Sequence, residues 1–117
     1  MGFLFGKKDK KFEINGVRYK VDAEKPTAEV TRSPNAAGDV VILSEVDGKI
    51  ITKIGNSAFA RCKGITSVSI PNSISCIGYS AFKGCKGLTG VCLPKNVTSI
   101  SSGSFADCTN LKHISKQ

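Results

Sequence analysis

Five cysteines, a single histidine and a cluster of cations are the residues of this 117-residue chain equipped for chemistry. Nucleophilic catalysis needs a thiol or hydroxyl with a base in hydrogen-bond reach. His113 is the sole histidine, and Cys92 is the thiol that a neighbouring strand would set diagonally beside it. Nothing in the sequence supplies a third group to orient the imidazole, or an oxyanion hole, so His113 reads as an exposed residue on a terminal strand. Asp107 is the one carboxylate beyond Asp47, which excludes paired-carboxylate chemistry from that half. The glycines recur with the chain's own period and serve turns, so they form no phosphate-binding loop. No C-x-x-C pair and no histidine cluster offers converging metal ligands. The sequence predicts a non-enzymatic protein with no catalytic residues, no metal and no cofactor.

The cysteines fit a different role. Cys62, Cys85 and Cys108 recur every 23 residues, in the register of the apolar positions. Free cysteine behaves as a small buried hydrophobe, so these three are expected to form a core ladder. Cys76 and Cys92 fall where other copies hold Ser99 and Ser69, and are expected at or near the surface. Exposed thiols that stay free fit a reducing cytosol.

The same period governs the elements that must position these residues. Three near-copies fill residues 54–117, opened by Ile54, Ile77 and Ile100 and followed by Phe59, Phe82 and Phe105. Ile65, Leu88 and Leu111, then Val68, Val91 and Ile114, complete the register. Repeats of this length stack as a solenoid, because one coil cannot bury its own apolar face. In the second copy, Val91 and Leu93 alternate with Cys92, as a half-buried strand requires. Pro71 and Pro94 end their strands and open corners, after which Ile74 and Val97 turn inward. The spacing of Ala81, Phe82 and Cys85 predicts a single helical turn, with Gly64, Gly87 and Asn110 as the left-handed residues that end it. Eight of the 23 positions per coil thus face inward.

The pattern Ile-Gly-x-x-Ala-Phe-x-x-Cys-x-x-Leu-x-x-Val-x-Ile-Pro stands from Ile54 to Pro71, with Ile65 at the Leu position, and again from Ile77 to Pro94, with Leu93 at the last Ile position. It resembles the surface-protein, BspA-like class of leucine-rich repeats. The third copy departs from it, with Ser101 in place of the glycine and no third proline. Upstream, Phe12–Tyr19 and Thr27–Thr31 resemble the N-terminal hairpin preceding such arrays, and Gly38–Ile54 a degenerate first coil. The Asp47-Gly48 step is expected to turn a hairpin inserted in that coil. The resemblance implies a leucine-rich-repeat solenoid: a right-handed β/α superhelix, mainly β with short helical turns, a parallel sheet on one face and an N-terminal β-hairpin cap. Residues 1–11 are expected to be a disordered basic tail, 12–53 the cap and first coil, and 54–117 the three repeats, with 12–117 one domain. For function the resemblance implies adhesion or protein interaction.

The net charge of +8 is unevenly placed. Residues 1–48 hold eight basic and eight acidic side chains, whereas 49–117 hold nine basic and only Asp107 acidic. Arg61, Lys63, Lys83 and Lys86 fall on the turn side of adjacent coils and form a candidate basic patch. No stretch approaches the length of a membrane span. The opening Met1–Lys8 has an apolar run of three residues with lysines after it, unlike a secretion signal, and Gly6 breaks the myristoylation pattern. A cytoplasmic location is expected, or a surface or secreted one if a leader preceded this segment.

Three roles follow from these features. The first is protein–protein interaction through the concave sheet, by Thr66, Ser67, Ser69, Thr89, Gly90, Cys92, Lys112, His113 and Ser115. The second is a homodimer through the uncapped C-terminal edge near Phe105, Cys108, Leu111 and Ile114. The third is charge-driven binding of a polyanion by the basic patch, with no specific nucleic acid expected because no aromatic residues are interleaved for stacking.

Overall fold

The computed structural model describes residues 9–117. Strands β1 (Lys10–Ile14), β2 (Val17–Val21) and β3 (Thr27–Thr31) open the chain, followed by β4 (Gly38–Val41), β5 (Glu45–Val46) and β6 (Lys49–Ile54). The repeats contribute β7 (Ile65–Ser69), β8 (Cys76–Ile77), β9 (Gly90–Leu93), β10 (Ser99–Ile100) and β11 (His113–Lys116). The molecule is elongated, 54 × 27 × 23 Å.

Each coil contributes one strand to each of two sheets. One sheet runs β4–β7–β9–β11, parallel throughout. The second joins β6, β8 and β10 in parallel and continues through β3 into the antiparallel strands β2 and β1. The sequence points to the first sheet alone; β8 and β10 are two residues each, too short to show an alternating pattern. The cap therefore does not sit on the stack as a separate lid. It extends the second sheet, with β3 as the rung below β6. Lys10 and Lys11, expected in a tail, are paired with Val21 and Lys20 in the first hairpin, and the rest of that tail up to Lys8 lies outside the described residues.

Turn chemistry accounts for the hairpins. Asn15 and Gly16 (φ 50° and 82°) close β1–β2, and Asp47 and Gly48 (φ 53° and 75°) close β5–β6. Two successive positive φ values match the twist of antiparallel strands, and Asn-Gly and Asp-Gly adopt them most readily. The proline corners stand as expected: the Ile74 amide donates to the Pro71 carbonyl at 3.1 Å, and Val97 to Pro94 at 3.2 Å.

The Phe-containing segments are not helical. They are runs of tight turns stacked by their own backbone ladder, in which Ser57, Phe59 and Arg61 donate to the carbonyls of Tyr79, Ala81 and Lys83 in the next coil. Ser80, Phe82 and Gly84 repeat this toward Ser102, Ser104 and Ala106. Left-handed residues recur at two positions per coil of this ladder: Ser57, Ser80 and Gly103, and Arg61, Gly84 and Asp107. Gly64, Gly87 and Asn110 are not left-handed, contrary to the sequence reading. Gly87 serves close approach, since a Cβ there would lie 2.6 Å from the Lys63 carbonyl oxygen and 2.9 Å from that of Ile65.

All eight inward positions of the first two repeats are buried, from Ile54 through Ile74 and from Ile77 through Val97. Phe82 stacks between Phe59 and Phe105 with ring centroids 5.3 Å apart on each side. Burial lapses in the third repeat, where Ile100 is 46% and Ile114 54% exposed. At the other end Tyr19 is fully buried, and its hydroxyl accepts the Leu43 amide at 3.0 Å. That bond ties the cap to the first coil.

Candidate interaction surfaces

Pairing in the β4–β7–β9–β11 sheet converts the sequence period into rows. Val40, Val68, Val91 and Ile114 form the inward row. On either side of it run Asp39–Ser67–Gly90–His113 and Val41–Ser69–Cys92–Ser115. Ser69, Cys92, His113 and Ser115 are exposed, and Ser67 and Gly90 half-buried. Thr66, Thr89 and Lys112, also exposed, lie along the margin where the chain enters each strand. Seven of the nine residues expected on this surface lie in strands of this sheet, and Thr89 and Lys112 directly precede β9 and β11.

Two residues absent from the sequence reading join them. The Asp39 carboxylate accepts bonds from the Thr66 hydroxyl at 3.2 Å and the Ser67 hydroxyl at 2.7 Å. Val41, 59% exposed, is the largest apolar side chain of the outer rows. Both were missed because the first coil does not keep the repeat spacing: Gly38 pairs with Ile65 but Asp39 with Ser67, a bulge that shifts the register by one residue. In the sequence this row is marked by Asp39 alone, directly before the hydrophobic run that starts at Val40.

Cys92 and His113 occupy adjacent strands but different rows, Cys92 facing Ser115 and His113 facing Gly90. Among the described residues, no group of three or more His, Cys, Asp or Glu is placed to hold a metal. The other cysteines have a structural task. The Sγ of Cys85 and of Cys108 donates to the Phe59 and Phe82 carbonyls of the preceding coil, each at 3.0 Å, and that of Cys62 to the Ser33 carbonyl at 3.4 Å. Burial pushes the Cys85 thiol up to about 12 from an ordinary value of 9.0, with the neighbouring Cys108 and Cys62 adding to it. Cys62 is likewise raised by burial, opposed by the Arg32 cation, and Cys108 by burial, opposed by hydrogen bonding with the Cys85 backbone. These thiols stay protonated and serve as hydrogen-bond donors to the coil below.

The four cations of the expected basic patch also converge. Arg61, Lys63, Lys83 and Lys86 line one hollow of about 400 Å³ on the turn edge, with Asp107 and Thr109.

Two parallel ladders, proline corners and a stack of one phenylalanine per coil define a leucine-rich-repeat solenoid. Within that class, the sequence profile described as "BspA type Leucine rich repeat region (6 copies)" matches residues 43–117, more than half of the chain, and the protein belongs to this family. Among solved structures it is similar to a leucine-rich repeat protein of T. pallidum, with 28% identity and a TM-score of 0.80 over 90% of this chain and 49% of that one. The chain thus spans about half the length of the treponemal protein. It also shares its fold with a leucine-rich repeat protein from Bacteroides capillosus (18% identity, TM-score 0.67), covering 92% of this chain and 98% of that one. The pneumococcal vaccine antigen PcpA aligns at 17% identity and a TM-score of 0.54, over 92% of this chain and 38% of that one. No curated protein matches the chain in sequence.

Proposed function

We propose that this chain is a non-enzymatic protein-interaction module that binds its partner through the outer face of the β4–β7–β9–β11 sheet. The observation that carries the reading is the pair of outer rows, which present hydroxyls, one thiol, the Asp39 carboxylate and Val41 on a continuous parallel ladder. Small side chains keep this face flat, and at Gly90 even a Cβ would meet nothing closer than 3.7 Å. Such a face offers many hydrogen-bonding groups and little apolar area. Binding strength therefore comes from aromatic or arginine anchors on the partner, packed around Val41.

The test is capture from source-cell lysate on immobilised wild-type protein, a Ser69→Arg/Gly90→Arg variant and a Lys63→Glu/Lys86→Glu variant. A discrete protein held through high salt by the wild type and the glutamate variant, and lost from the arginine variant, is the expected result. Undiminished capture by the arginine variant would exclude the sheet face.

A further inference from the structure

The turn edge carries a second hollow beside the first. It measures about 210 Å³ and is lined by Arg32, Ser57, Ala60, Arg61, Ser80 and Lys83. Arg61 and Lys83 border both hollows, which makes one groove running from Arg32 past these two cations to Lys63 and Lys86. All five cationic side chains are exposed.

Folding gains nothing from this clustering. Lys63 and Lys86 hold the same position in successive coils, and like charges on neighbouring rungs repel one another. Asp107 is the one acidic side chain lining these hollows, and it forms no ion pair with any of the cations. The ion pairs among the described residues join Lys10 to Asp47, Arg18 to Glu13, Lys20 to Asp9 and Lys25 to Asp22, all within the cap and first coil. None reaches the groove. The cap neutralises its own charges while the turn edge leaves its cations open to an outside anion.

The remaining groups narrow the choice of anion. Asp107 lies in the groove with the lysines, and Ser57, Ser80 and Thr109 add hydroxyls. A phosphodiester backbone offers acceptors only, and no aromatic side chain lines either hollow to stack the bases of a nucleic acid. A peptide brings carboxylates for the cations and amide N–H groups for Asp107. We propose that this groove is a second binding site, taking an acidic, glutamate- or aspartate-rich segment of a partner protein. The site lies on a different surface from the β4–β7–β9–β11 sheet and does not depend on that sheet being a binding face.

The experiment is fluorescence anisotropy at low salt, with a labelled glutamate-rich peptide and a labelled single-stranded DNA of similar charge as probes. Lys63→Glu/Lys86→Glu and the neutralising Arg61→Gln/Lys83→Gln are compared with Lys11→Glu/Lys95→Glu, which makes the same charge change as the first outside both the groove and the sheet face. Peptide affinity is expected to fall about tenfold or more in both groove variants and by no more than about twofold in the outside control. Wild-type protein is expected to prefer peptide to DNA. Equal losses in the groove and control variants, tighter binding of DNA, or no peptide binding at low salt would each overturn the proposal. Every substituted side chain is exposed, and unchanged thermal melts of the variants establish that a loss is not unfolding.

Discussion

Cys85 has no exposed surface and gives its thiol hydrogen to a carbonyl of the preceding coil. The register of the three repeated cysteines is plain in the sequence and marks them as core. Their donor role is not, because a 23-residue spacing names the neighbouring coil but not the atom that faces the sulfur. The raised folded-state value has a definite consequence for pH dependence. A thiol that ionises near 9.0 when unfolded and near 12 when folded favours the native state fully below pH 9.0, and that contribution is lost as pH rises toward 12. Stability should therefore decline through this interval, and Cys85→Ser, which leaves nothing to titrate there, should flatten the decline in urea melts taken at several pH values. Thiol labelling gives a companion test. Exposed Cys92 should react with a maleimide in the native state, whereas Cys62 and Cys85 should react only on unfolding.

Within one coil, the strand before each proline and the corner after it are legible, since alternation and Pro71 or Pro94 announce them. The Phe segment is not. Its left-handed residues are Ser57, Arg61, Ser80 and Asp107 as well as glycines, so composition hides the backbone that carries the inter-coil amide ladder. The conspicuous glycine of the repeat, Gly87, is selected by crowding instead of by φ. Gly87→Ala drives a methyl group into two backbone carbonyls and should cost about 1–3 kcal/mol, as overpacking does. Gly90→Ala meets only ordinary van der Waals contact, at 3.7 Å and beyond, and should change stability by less than about 0.5 kcal/mol. Paired denaturant melts decide between a crowding role and a turn role for the repeat glycine.

Across the molecule, a deeply buried centre lies between a hydrogen-bonded cap and a third repeat whose Ile100 and Ile114 are half exposed. Local opening should follow that gradient. Hydrogen exchange should be slowest in β7 and at Phe59–Phe82 contacts, and fastest along β11, with Phe82→Ala far more damaging than Phe105→Ala because Phe82 is packed on both ring faces. The solenoid architecture and the charge asymmetry between the two halves are legible from the sequence. The continuity of the cap with the second sheet is not, since it rests on the parallel pairing of β3 with β6 across a bulge. The central claim, that the β4–β7–β9–β11 sheet is the face that meets a partner, is tested most directly by site-specific photo-cross-linking in source-cell lysate. A benzophenone amino acid replaces Ser69, in the outer row of that sheet, or Thr98, exposed beside β10 of the other sheet. Capture of a discrete protein from position 69 and not from 98 is the predicted result; capture from 98 alone, or equally from both, would contradict it.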